Sequence, residues 1–331
     1  MSRDLIISFP HMGNYHIPIS AFLQRLFPEA RIMPPPPITR QTAAMGARHS
    51  PDFICEPFEY NMGNFIQALD RGANLLFQTG MGCRYGYYGE LQEQILRDLG
   101  YKFQFLCLSR ERARPLAAYK SLRKLGSPLN FAQMVYTLLL TAEEIKSMEK
   151  LEKNTRESTK KSKNPLRVGI VGDLYTVMEP FSNFDLERKL AARDIAVSRQ
   201  MSVSFLLFGE SEEVRLRKTH GYLRHSGGAN GLDSVAQSLA YARLGYDGVI
   251  HAKSFGCTPE LNAMPAMMRL SEDLGIPILH LSFDTHSSET GLDTRLEAFI
   301  DMMEMRRNTS GKSIQSGGRR GLHLHKGHHS G

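Results

Sequence analysis

Asn74-Leu75-Leu76-Phe77-Gln78-Thr79-Gly80-Met81-Gly82-Cys83-Arg84-Tyr85-Gly86-Tyr87-Tyr88-Gly89-Glu90 is the stretch whose reading decides the fold. Its apolar start reads as a buried strand, and Leu91, Ile95, Leu96 and Leu99 continue with helical spacing. The unit is therefore strand, turn, helix. Gly80, Gly82, Gly86 and Gly89 let the turn bend tightly and let a bulky group approach the backbone, with Cys83 inside it.

The same unit recurs outward in both directions. Leu5–Phe9 reads as a strand ending at Pro10-His11-Met12-Gly13-Asn14, with a helix over Ile17–Phe27. Arg31-Ile32-Met33 leads into four stiff prolines, Pro34 to Pro37, which suit a rigid loop or a polyproline ligand. Ile38–Arg48 has helical character, Asp52-Phe53-Ile54 is expected to form a short strand entering Cys55, and Phe65, Ile66 and Leu69 mark the next helix. Lys102–Leu108 is a further strand.

Downstream, Leu166–Asp173, Asp247–His251 and Ile276–Phe283 read as strands. Val235–Leu244, Thr258–Leu274 and Leu292–Arg306 read as helices, Ser182-Asn183-Phe184-Asp185 has capping-box form, and Val203–Phe208 suits a strand or a helix. Strands alternating with helices specify an α/β fold of two doubly wound, Rossmann-like parallel-sheet lobes with an inter-lobe cleft. Ser127-Pro128 is expected to cap a bridging helix that grows more charged through Lys163. The expected domains are residues 1–126 (first lobe), 127–165 (bridging helix and basic linker), 166–307 (second lobe) and 308–331, a disordered basic tail rich in His and Gly.

The chain has 331 residues, 41% of them apolar, enough for two cores. Its net charge of +7 is concentrated: residues 308–331 carry four bases and no acid, and 146–167 carry eight bases and three acids, so the remainder is −2. With no basic folded face, nucleic acid is not an expected partner. No apolar run is long enough to span a membrane, and Met1-Ser2-Arg3-Asp4 leads straight into a strand, so a cytoplasmic protein is expected.

Four cysteines are present. Cys55, Cys83 and Cys257 each stand just before a helix, at the sheet edge where open α/β folds bind ligands. Helix N-termini favour thiolate over thiol there. Three soft sulfur donors suit an iron–sulfur cluster or zinc, although no Cys-x-x-Cys pair occurs and buried structural cysteines remain the other reading. Cys107, inside Phe105-Leu106-Cys107-Leu108, reads as core.

Ile54-Cys55-Glu56-Pro57-Phe58, Asn61-Met62-Gly63-Asn64-Phe65, Gly82-Cys83-Arg84-Tyr85-Gly86-Tyr87-Tyr88-Gly89-Glu90, Glu179-Pro180-Phe181-Ser182-Asn183-Phe184-Asp185-Leu186-Glu187, Gly248-Val249-Ile250-His251, Phe255-Gly256-Cys257-Thr258-Pro259-Glu260 and Thr294-Arg295-Leu296-Glu297-Ala298-Phe299 follow in order. Over about residues 4–305 they resemble the 2-hydroxyacyl-CoA dehydratase superfamily, in its short activase-associated branch. The resemblance implies a [4Fe-4S] cluster on Cys55, Cys83 and Cys257, with one iron open to substrate. It also implies an ATP-dependent activase of actin/Hsp70-like fold as electron donor, a CoA thioester as substrate and oxygen sensitivity. A lyase or reductase is one expectation, a non-catalytic electron carrier or scaffold a second, and a metal-free binding protein a third. A dimer is kept open.

Other candidates are Arg84 and Tyr88, for orienting an anionic substrate or bonding cluster sulfurs, and His251 and Glu179 as cleft-facing groups, His251 as a proton donor. Gly82, Gly86 and Gly256 would leave room for the cofactor. Each has a bland alternative in core packing or capping. Asp284, His286 and Glu289 fall on the loop after the last strand, and Asn183 caps a helix or faces the cleft.

Overall fold

The structure, a computed structural model, describes residues 4–52, 54–80, 87–109, 115–158 and 164–317. Two compact units divide the chain, Met1–Ser287 and Ser288–Gly331. The first carries both sheets. Its first half runs β1 (Ile6–Ser8), α1 (His16–Leu26), β2 (Arg31–Ile32), α2 (Arg40–Ala47), α3 (Glu56–Asp70), β3 (Leu75–Gly80), α4 (Tyr88–Asp98), β4 (Gln104–Ser109), α5 (Pro115–Lys124) and α6 (Phe131–Ser158). Its second half runs β5 (Arg167–Gly172), α7 (Leu174–Met178), α8 (Leu186–Ala192), β6 (Ala196–Arg199), α9 (Val203–Phe208), α10 (Glu212–Thr219), α11 (Gly231–Arg243), β7 (Gly248–Ser254), α12 (Thr258–Leu274) and β8 (Ile278–Phe283). The second unit holds α13 (Glu289–Gly317), which runs past the Arg306 that the sequence pattern marks.

Both sheets are parallel throughout and share one winding, β2-β1-β3-β4 and β6-β5-β7-β8. The chain thus builds two Rossmann-like lobes, as the strand-helix alternation requires. Helices cover each face of the first sheet, because successive strand residues point oppositely. Leu75 and Phe77 pack with Phe22, Leu23 and Leu26 of α1, while Leu76 packs with Phe58, Met62 and Phe65 of α3. In the second sheet Val171 and Val249 pack with Val235 and Leu239 of α11 and with Met267 and Leu270 of α12.

In each sheet the winding reverses between the first strand and its later neighbour, β1/β3 and β5/β7, which opens a crevice at the strands' carboxyl ends. Gly172 closes β5 at φ +149°, and a Cβ there would lie 1.7 Å from the Ala252 carbonyl oxygen of β7. Only glycine permits that approach.

Two local expectations are corrected, and one left open is resolved. No strand forms over the described residues of Asp52–Ile54: the Ile54 N–H closes a turn on the Pro51 carbonyl (3.4 Å), and Cys55 is delivered by this loop. Ser127 does not cap α6; its hydroxyl donates to the Leu26 carbonyl (2.6 Å). The cap is instead the reciprocal pair of Asn130 and Gln133, each side chain accepting the other's N–H at 2.9 Å. Val203–Phe208 resolves as helix α9, with Ser202 accepting the Phe205 N–H (3.1 Å). No described helix is long and apolar enough to cross a membrane.

Candidate functional site

The two crevices are stitched together by hydrogen bonds between the lobes. Glu179, 3% exposed, follows α7 and reaches the loop after β1. Its Oε2 lies 2.8 Å from His11 Nδ1 and accepts the Gly13 N–H (2.8 Å), while Oε1 accepts the Phe181 N–H (3.2 Å). Gly13 adopts φ +48°, and a Cβ there would fall 2.8 Å from the Met178 carbonyl oxygen. On the other side of the junction the Glu56 N–H donates to Ser254 Oγ (3.1 Å).

Around this junction lie two half-buried cysteines, one from each lobe. Cys55 caps α3 and Cys257 caps α12, each followed two residues on by a proline in the first turn, Pro57 and Pro259. Proline suits that position because the N–H it lacks has no intrahelical partner. The two sulfurs are within electrostatic reach of each other. Tyr88, opening α4, places its hydroxyl in contact with Cys55 Sγ. Cys83, Arg84, Gly82 and Gly86 lie outside the described residues. Among the described residues, no three His, Cys, Asp or Glu side chains converge to hold a single metal ion.

The thiolate expected at a helix N-terminus is overturned at Cys257. Burial pushes its thiol well above the ordinary cysteine value, and the Asp173 and Glu260 carboxylates add to this; the Glu260 N–H bonded to the sulfur opposes them without winning. A bound metal would offset this cost by deprotonating the thiol.

Acid groups crowd the same place. Glu56, next to Cys55, is 8% exposed, and burial, followed by Glu59, Asp173 and Asp284, raises its carboxyl to about 8, so it is neutral at pH 7. Asp173, at the end of β5, accepts the Ser254 N–H (2.8 Å) and the Thr176 N–H (3.0 Å). Gly256 lies in the turn that the Cys257 N–H closes on the Ser254 carbonyl (3.1 Å).

His251 and Lys253 share one face of β7, and both are buried, at 0% and 1% exposure. His251 Nε2 lies 2.8 Å from Glu260 Oε2, and its Nδ1 lies 2.8 Å from Nδ1 of half-buried His280. A carboxylate at Glu260 makes Nε2–H the donor of that bond, and both ring nitrogens of His251 are engaged. Lys253 Nζ reaches only the Ser254 and Phe255 carbonyls, each at 3.4 Å, and has no ion-pair partner among the described residues.

The structure thus brings Cys55, Cys257, Tyr88, Gly256 and Glu179 to the junction, with His251 behind the Cys257 turn. Asn183 caps α8 through the Leu186 N–H (3.0 Å). Asp284 accepts the His286 N–H (2.9 Å) in a loop turn, and Glu289 lies in the second unit. Cys107 packs against α4, where a Cβ on Gly89 would meet its sulfur at 2.4 Å. Sequence reasoning missed Glu56, Asp173, Glu260, His280 and Lys253. The legible signal was Lys253, a charge inside a fully buried strand.

No curated protein matches the chain. A family model described as HGD-D, the 2-hydroxyglutaryl-CoA dehydratase D-component, matches residues 104–303, a span that carries β4 through β8, Glu179, the Cys257 turn and the buried residues behind it. With more than half of its length matched, the chain belongs to the 2-hydroxyglutaryl-CoA dehydratase D-component family.

Proposed function

We propose that this dehydratase-like subunit carries a [4Fe-4S] cluster on Cys55, Cys83 and Cys257 and performs or assists an ATP-primed reductive step on a CoA thioester. The observation that carries the reading is the arrival of Cys55 and Cys257 from opposite lobes at one junction, each in a Cys-x-Pro helix cap. When bound, the cluster would supply a single low-potential electron and an iron open to a substrate oxygen.

The remaining roles belong to the chain itself. Against a ligated Cys55 sulfur the Tyr88 hydroxyl would be the hydrogen-bond donor, and the Glu260 N–H bonds the Cys257 sulfur in the same way, which disperses ligand charge. Arg84 is assigned to the anionic end of the substrate. His251 and Glu179 act as positioning residues: both ring nitrogens of His251 are engaged behind the Cys257 turn, and Glu179 clasps the lobes. The electron donor is an activase that hydrolyses ATP.

The test is EPR of the reduced, anaerobically purified protein with and without 2-hydroxyacyl-CoA thioesters. A thioester that changes the cluster signal supports an open iron and a catalytic role. A cluster indifferent to every thioester supports the electron-carrier reading and overturns the catalytic one.

A further inference from the structure

Lys253 is a buried cation on β7, directly behind the turn that presents Cys257. A buried ammonium is normally held by a carboxylate at contact distance, because an uncompensated charge in a protein interior is expensive. Lys253 is 1% exposed, yet among the described residues it has only two long contacts, to carbonyls of the turn that presents Cys257. Asp173, Glu260 and the Cys257 sulfur act on it electrostatically without forming an ion pair among the described residues. Asp173 is committed to two backbone N–H groups and Glu260 to His251.

We propose that Lys253 is the built-in counter-charge for the ligated sulfurs: its ammonium, seated against the Ser254–Cys257 turn, balances the negative charge that appears when these cysteines bind iron. The assignment rests on the cluster reading above. Its electrostatic consequence has a sign. Reduction adds one negative charge to the cluster, so a cation in a low-dielectric setting stabilises the reduced form more than the oxidised form. Lys253 therefore raises the midpoint potential and holds iron in place, while in the metal-free chain it is a net cost. It is a positioning residue, since it acts through the Cys257 turn.

The experiment compares wild type, Lys253→Met and Lys253→Arg, purified anaerobically, for iron content, EPR-monitored midpoint potential, rate of iron release to a chelator, and melting temperature after stripping. Lys253→Arg is expected to keep the wild-type midpoint. Lys253→Met is expected to shift the midpoint to more negative potential and to release iron several-fold faster, while its stripped form melts no lower than stripped wild type. A Lys253→Met protein with wild-type midpoint and iron release overturns the assignment. So does a Lys253→Met protein that fails to fold, because a residue serving only to balance ligated sulfurs is not needed by the metal-free chain. Wild type without iron overturns the cluster reading itself, and so is distinguished from failure of the Lys253 assignment alone.

Discussion

His251 Nε2 and Glu260 Oε2 lie 2.8 Å apart with both side chains fully buried, and this pair ties strand β7 to the first turn of the helix that Cys257 caps. Replacing Glu260 with Leu leaves the His251 N–H unpaired, which is expected to cost about 2–3 kcal/mol. Glu260→Gln retains an acceptor and is expected to cost about 1 kcal/mol. Urea denaturation of the two variants beside wild type measures both; equal losses would show that the hydrogen bond is not what the site depends on.

Glu179 is the clasp between the lobes, with His11, Gly13 and Phe181 all on its carboxylate. Glu179→Ala orphans the two backbone donors at once, and a loss of about 3 kcal/mol is expected, with faster proteolysis in the loop after β1. Glu179→Gln is expected to lose about half as much. A fully stable Glu179→Ala would mean that the lobes are held elsewhere.

Asp233 on α11 is 2% exposed, with Oδ1 2.8 Å from Arg215 Nε. Burial raises its carboxyl to about 6, with Arg215 and then Asn230 pulling the other way. The folded value lies above that of an unfolded aspartate, so the unfolded chain ionises first as pH rises. The contribution of Asp233 to stability is therefore intact below about pH 4, falls between about pH 4 and 6, and is then constant, a total of roughly 3 kcal/mol. Asp233→Asn removes that slope. Its stability relative to wild type should rise across this window and stay flat above it; a difference independent of pH would contradict the assignment.

What the sequence made legible, and what it did not, follows from the range of each signal. Leu75 to Phe77 and Val168 to Val171 are apolar on both faces, which only a strand covered on both sides requires, so both Rossmann-like sheets could be read directly. The β6 strand, Ala196–Arg199, escaped because four residues with a polar end give no period. Asp52–Ile54 was misread because a short run before a proline-started helix looks the same whether it is a strand or a loop. Ser127 was misread as a cap because its true partner, the Leu26 carbonyl, is remote in sequence. The same limit explains the site. Cys55 and Cys257 were visible as helix starts, but the burial that raises the Cys257 thiol, and the Asp173 carboxylate that adds to it from the end of β5, come from packing remote in sequence and have no linear signature.

The most direct test is the iron and acid-labile sulfide content of anaerobically purified wild type, Cys83→Ser and Cys107→Ser. About four irons and four sulfides per chain are expected in wild type and in Cys107→Ser, with a reduced-cluster EPR signal, and loss of both in Cys83→Ser. Wild type with zinc alone or no metal, or a Cys83→Ser protein that keeps its iron while Cys107→Ser loses it, would contradict the account.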